Sequence, residues 1–242
     1  MPANSSDPSP LILACDTTQG ACSVALWRDG LLESQLHPMQ KGHAEALMPM
    51  IETLCDDSGI EMGALDRLAV THGPGTFTGV RVGLSAMRGL ALALAIPVKT
   101  YGTLAVMAQA CGDVLPLIVA VDAKRDTFFT QGFMADGTAH GDPQALSAVA
   151  VSALAVTLAA TSETKDAAIA LCGTGAPLLA DALNAAGVRF APVDAPPYPD
   201  ATMLAAMAAQ DADWDNLPAA EPLYLRPPDA TLPDPSKRIK WR

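Results

Sequence analysis

The chain has 242 residues, 50% of them hydrophobic and 17% charged, with a mean hydropathy of +0.24. That length makes one large domain or two small ones, and the composition excludes disorder throughout, a coiled coil and a collagen-like fibre. The 15 basic residues against 26 acidic ones leave a formal charge of −11, so the molecule as a whole repels phosphate backbones and does not read as a stand-alone nucleic-acid binder.

Residues 1–10 lack a positive region and lead into an apolar run that Asp16 interrupts, so a disordered tail is expected there, not a secretory signal. Strands are predicted over 11–15, 21–27 and 31–36, with Asp29-Gly30 as the hairpin turn between the last two. Asp16, Thr17 and Thr18 fall in the turn between the first and second, at a strand end. Residues 43–57 carry Ala44, Leu47, Met48, Ile51, Leu54 and Cys55 at helical spacing, which predicts one buried stripe and leaves Ala46 and Met50 off it. Pro49 either kinks this helix or begins its regular part. A strand over 67–71 leads through the glycine-rich connection His72 to Gly79 into a long helix over 78–95. Val80, Leu84, Met87 and Ala91 make one apolar face of that helix, while Gly79, Gly83 and Ala86 make a flat groove open to another backbone.

A strand over 96–99 and a helix over 101–110 follow. A second unit then shows strands over 117–121 and 127–134, an Ala-rich helix over 147–160, a strand over 169–172, the turn Gly173-Thr174-Gly175-Ala176 and a helix over 177–186. Alternating strands and helices after a meander predict an α/β fold, and both halves repeat the order strand, turn, strand, helix. Past Ala191 the chain is proline-rich apart from a helix over 201–210. The expected division is a first lobe over 11–112, joined by a helix near 200–212, a smaller lobe over 113–199, and an extension over 222–242 that is flexible from about 227.

The five cysteines are odd in number, far apart and without a C-x-x-C pair, which argues against a disulfide framework or a zinc ribbon and for a reducing, cytoplasmic setting. The most apolar windows, 89–98 and 145–160, fall short of the roughly 20 apolar residues of a spanning helix, so no membrane segment is expected.

Three segments invite a chemical reading. Asp16-Thr17-Thr18 is either ordinary turn chemistry or a carboxylate with hydroxyls placed to hold a metal and a phosphate. Gly73-Pro74-Gly75-Thr76-Phe77-Thr78-Gly79 either cradles an anion at a helix start or packs that helix tightly; it holds no lysine and matches neither G-x-G-x-x-G nor a P-loop. Gly173 and Gly175 stand where an adenosine rests in a nucleotide site, or simply turn the chain from strand to helix. The histidines His37, His43, His72 and His140 are scattered, so zinc hydrolysis and a serine triad have no scaffold.

Together the segments LILACDTTQGACSVAL, HAEALMPMI, THGPGTFTGVRVGLSAMRGLA, VDAKRDTFF, CGTGA and PLYLR resemble the TsaB (YeaZ) family, over roughly residues 11–226. The resemblance implies an α/β fold of two ribonuclease-H-like lobes of the actin/sugar-kinase (ASKHA) superfamily. It implies a non-catalytic subunit that supports the transferase TsaD in forming N6-threonylcarbamoyladenosine on tRNAs reading codons that start with A. TsaD holds a metal through an H-x-x-x-H helix; the matching segment here, Tyr101 to Gln109, has no histidine, so no metal and no independent transferase activity are expected. Implied partners are TsaD and the ATPase TsaE, with tRNA met indirectly; for the free protein either a homodimer or a single chain is open. No intrinsic cofactor is expected, with ATP or ADP entering in the TsaD complex. A nucleotide on this chain would lie against Asp16, Thr17, Thr18, Gly173 and Gly175.

The resemblance also places the partner interface on the two long helices, as a four-helix bundle at His43, Ala46, Leu47, Met50, Ile51, Leu54, Gly79, Arg81, Val82, Gly83 and Ala86. Surplus apolar surface on those helices supports that placement independently. An active ATP-dependent enzyme of the sugar-kinase type is the alternative. Residues 227–242 carry a net charge of +2 with a basic, aromatic end from Lys237 to Arg242, which reads either as a solvated terminus or as a contact for tRNA or an acidic partner.

Overall fold

The computed structural model describes residues 9–112, 116–134, 136–161 and 168–227. Residues 1–8 of the tail expected over 1–10, and the basic end at 237–242, lie outside the described residues.

Five strands build the first sheet: β1 Ile12–Asp16, β2 Ala21–Trp27, β3 Leu31–Pro38, β4 Arg67–Thr71 and β5 Val98–Tyr101, in the order β3-β2-β1-β4-β5. β1 pairs antiparallel with β2 and parallel with β4. Helices α1 His43–Ser58 and α2 Phe77–Leu94 connect them, and α3 Thr103–Gln109 follows β5 toward the second sheet. The second sheet is made of β6 Leu117–Asp122, β7 Phe128–Phe133, β8 Ala139–Leu146, β9 Ile169–Cys172 and β10 Phe190–Pro192, with α4 Ala148–Thr161, α5 Ala180–Ala185 and, last, α6 Ala201–Gln210. Its order, β10-β9-β6-β7-β8, is the first sheet's order repeated. A meander followed by parallel crossovers thus occurs twice over, as the two-lobed α/β reading expects.

Alternation along β1 explains why it is buried on both faces. Leu11, Leu13 and Cys15 point into a core with Leu47, Ile51 and Leu54 of α1 and Val80, Leu84 and Met87 of α2. Ile12 and Ala14 point the other way, onto Ala201, Leu204, Ala205 and Ala208 of α6. The second sheet repeats the scheme, with Ile118, Ala120, Ile169 and Leu171 against α4 and α5, and Leu117, Val119 and Cys172 against Leu104 and Met107 of α3. α3 also sends Val106 into the core of α6, so this helix of seven residues belongs to both lobes. All five cysteines are buried free thiols.

The two edge strands β8 and β10 are absent from the sequence prediction. β8 reads AHGDPQAL, a turn-like string that survives as a strand because an edge tolerates Pro143 and leaves half its backbone unpaired. The helix predicted over 177–186 is instead a short 3-10 turn, Ala176–Leu178, and the separate α5. α1 runs unbroken through Pro49. α2, at 18 residues, is long and apolar enough by composition to cross a membrane, a helix the window reading passed over. Its inner side carries the core residues Val80, Leu84 and Met87, and Arg81 and Arg88 stand exposed on its other side.

α6 is tied to β2 by one buried hydroxyl: Ser23 Oγ accepts from the Ala201 amide at 3.1 Å and donates to the Pro199 carbonyl at 3.3 Å. Ser23→Ala leaves that amide buried without an acceptor and is expected to lower the free energy of unfolding by about 1–3 kcal/mol, measured by urea denaturation.

Candidate functional site

Asp16 ends β1 and is wholly enclosed. Its Oδ2 accepts from Thr18 Oγ1 at 2.7 Å and from Thr71 Oγ1 of β4, and its Oδ1 accepts from the Thr18 amide at 3.2 Å. Thr103 Oγ1 at the start of α3 donates to Thr18 Oγ1 at 3.3 Å, which closes the cage from the other side. Burial raises the Asp16 carboxyl to about 6, against the three hydrogen bonds that pull it down. Thr17 Oγ1 donates to the Gly79 carbonyl at 2.7 Å, and the Thr18 carbonyl accepts from the Thr76 amide at 2.8 Å.

The turn is therefore sewn to the start of α2, and Gly79 and Gly83 make room for that seam. A Cβ on Gly83 would stand 2.8 Å from Thr17 Oγ1, and one on Gly79 would strike the Thr17 carbonyl. The groove expected to admit a partner's backbone at Gly79 and Gly83 is filled by Thr17 of this chain. Sequence spacing showed that a backbone comes close there, but not whose.

The second expected nucleotide turn lies in the other lobe. Gly173 and Gly175 pack on β6, where the Gly175 amide donates to the Ala120 carbonyl at 2.9 Å and a Cβ on Gly175 would meet Phe128 at 2.7 Å. Thr174 Oγ1 accepts from the Asp122 amide at 3.1 Å. Thr103 and Met107 of α3 stand between the two turns, touching Thr18 and the Gly173 site respectively. A cavity of about 310 Å³ does open between the lobes, lined by Gln19, Thr76 and Phe77 on one side and Asp122, Ala123 and Lys124 on the other. Asp16, Thr17, Thr18, Gly173 and Gly175 do not line it. A metal-bound phosphate needs open carboxylate lone pairs, and the three donors around Asp16 with its complete enclosure do not fit that group.

The expected interface residues divide three ways. Leu47, Met50, Ile51, Leu54 and Gly83 are buried in this chain, so they offer a partner little or no surface, and Met50 is a core residue, not an off-stripe one. Ala46 is half-buried against the same core. His43 and Gly79 line a polar hollow, where His43 Nε2 donates to the Gln19 carbonyl at 3.0 Å. Arg81, Val82 and Ala86, with the edge of Leu47, line an open groove of about 490 Å³ between α1 and α2. Sequence reasoning missed Ala44, Met48, Phe77, Thr78 and Ser85 in that groove. Ala44 and Met48 had been placed in the buried stripe. On a helix Met48 and Met50 flank Leu47 on opposite sides, and two methionines give hydropathy no means to choose between them.

Comparison with known proteins adds the lineage. The family model of TsaD, tRNA N6-adenosine threonylcarbamoyltransferase, matches residues 37–158. The tRNA threonylcarbamoyladenosine biosynthesis protein TsaB of Escherichia coli (strain K12) is 35% identical over 136 residues, 54% of this chain and 59% of that protein. Its counterpart in Haemophilus influenzae is 37% identical over 124 residues, 50% of this chain and 52% of that one. YeaZ from Pseudomonas aeruginosa superposes with a TM-score of 0.71 at 29% identity, covering 89% of this chain and 100% of the other. The chain belongs to the TsaB/YeaZ family. The match to the two curated TsaB proteins spans between half and three fifths of their lengths. An uncharacterized protein of Mycobacterium bovis is similar along nearly the whole chain, 30% identical over 224 residues, 90% of this chain and 93% of that one.

The seam makes a pH prediction. Asp16 titrates near 3.8 when unfolded and near 6 when folded, so between these values the folded state holds a proton that the unfolded chain has lost. The contribution is complete below pH 3.8 and disappears as pH rises through 6, so stability from this group falls with rising pH by about 3 kcal/mol across the window. Asp16→Asn is expected to flatten that fall, read from urea midpoints at a series of pH values.

Proposed function

We propose that this chain is a non-catalytic, cytoplasmic subunit of the assembly that forms threonylcarbamoyladenosine on tRNA, and that it docks onto the transferase TsaD through the groove between α1 and α2. The observation that carries the reading is the contrast between a sealed acidic turn and an open apolar groove. Asp16 is enclosed and hydrogen-bonded to Thr18 and Thr71, whereas Met48, Phe77, Val82 and Ala86 surround a groove whose lining residues all belong to α1 and α2. The TsaD family model spans both helices, so a protein of that family would bring a related helix pair to the contact, and two such pairs pack as a pseudo-symmetric bundle of four. A second copy of this chain would bring the same pair, which is the homodimer proposed for the free protein.

The name of the curated TsaB relatives supports the tRNA modification itself. α3, at the position of the metal-holding helix in TsaD, is TLAVMAQ and holds no imidazole. The described residues contain no group of three His, Cys, Asp or Glu side chains that could hold a metal. TsaE and a nucleotide belong, in this reading, to the assembled complex, and tRNA is met through it. The sugar-kinase alternative requires Asp16 to face a phosphate, which its burial disfavours.

Val82→Asp puts a charge in the groove without entering the core and is expected to reduce co-purification with TsaD by at least about tenfold, with an unchanged circular dichroism spectrum. Leu47→Asp, by contrast, buries an unpaired charge and is expected to unfold the chain. Undiminished capture of TsaD by the Val82 variant, or formation of threonylcarbamoyladenosine by this protein alone, would overturn the reading.

A further inference from the structure

One wall of the interlobe cavity is a later segment of the chain itself. Ala220 is buried in the core of the first lobe, and six residues later Arg226 is bonded to the second. Between them the Leu223 amide donates to the His72 carbonyl at 2.8 Å, and His72 Nδ1 donates to the Glu221 carbonyl at 3.2 Å. Gly73, at φ 115°, has no side chain where the Leu223 carbonyl passes, and a Cβ there would come within 2.6 Å of it. Leu225 packs on the apolar cluster of β6 and β7, and Arg226 Nη1 donates to the Ala123 carbonyl at 3.1 Å. Residues 221–226 thus cross from β4 to the turn after β6, and residues 223–226 line the cleft between the lobes.

The crossing is held at its middle by α2. The Tyr224 ring lies 5.0 Å from the Phe77 ring, and the Arg81 guanidinium sits 3.7 Å over Phe77 while its Nε donates to Tyr224 Oη at 2.9 Å. Phe77 lines both the interlobe cleft and the α1/α2 groove, and Arg81 lines the groove. A stacked guanidinium with a phenol acceptor is a directional contact, and a group arriving in the groove competes for it.

We propose that residues 221–226 are a strap that shuts the interlobe cleft, latched by the Phe77–Arg81–Tyr224 stack, and that a partner seated in the α1/α2 groove draws Arg81 away and releases the strap. The release half of this rests on the docking role proposed above; the strap itself does not. The two turns nearest the cleft are then held together by a displaceable segment of the chain, and groove occupancy and cleft closure are one linked equilibrium.

Hydrogen exchange on the full chain, read by mass spectrometry, tests both halves. Tyr224 is exposed enough that Tyr224→Ala leaves the cores intact, and in this variant the Leu223 amide is expected to exchange about tenfold faster, as is Arg81→Ala, with β1 and β6 amides unchanged. Tyr224→Phe keeps the ring stack, loses only the Arg81 hydrogen bond, and gives a smaller acceleration. Leu223 exchange within about twofold of the parent in both alanine variants overturns the strap. Adding purified TsaD is expected to accelerate the same amide in the parent chain. If TsaD binds and Leu223 exchange is unmoved, the release is wrong and docking stands. If TsaD does not bind while Tyr224→Ala opens the strap, docking is wrong and the strap stands.

Discussion

A single enclosed carboxylate organises the first lobe. Asp16 gathers Thr18 of its own turn, Thr71 of β4 and, through Thr18, Thr103 of α3, so four segments are fixed by one group that water does not reach. Desolvation outweighs those hydrogen bonds, which is why the carboxyl rises instead of falling. The arrangement holds only if α2 lies flat on the turn, and that is the reason for glycine at 79 and 83 on its inner side. With that side spent on the seam, what α2 has left to show another molecule is the face bearing Arg81, Val82 and Ala86.

Much of this was legible from residue order. β2, β4, β9 and α6 begin and end at their predicted limits, and a polar residue or a glycine directly follows each run. The TsaB resemblance and the two-lobed fold follow from motifs that the chain spells in full. The edge strands β8 and β10 were not legible, since a strand paired on one side needs no continuous apolar run, and β8 even accepts a proline. Site chemistry was legible as residue type and not as exposure. Asp16-Thr17-Thr18 looks the same in sequence whether its oxygens face a phosphate or one another. Only the positions of Thr71 and Thr103, 55 and 87 residues away from Asp16, decide it.

The same limit applies to the C-terminal segment. PLYLR stands out as a family motif, yet its partners His72, Arg81 and Ala123 lie between about 100 and 150 residues upstream, beyond any local periodicity. Placed in space, it shares Phe77 with the helix groove. Two features that the sequence presents separately, a docking face and a trailing motif, become neighbours on one turn of α2.

α3 has only seven residues, yet Val106 is packed with α6 and β1 while Leu104 and Met107 are packed with β6 and β9. Pulling the lobes apart strips this helix of the apolar neighbours on one of its sides. The two halves, for all their duplicated wiring, therefore have one piece of hydrophobic core in common, and loosening either lobe loosens the helix that the other leans on.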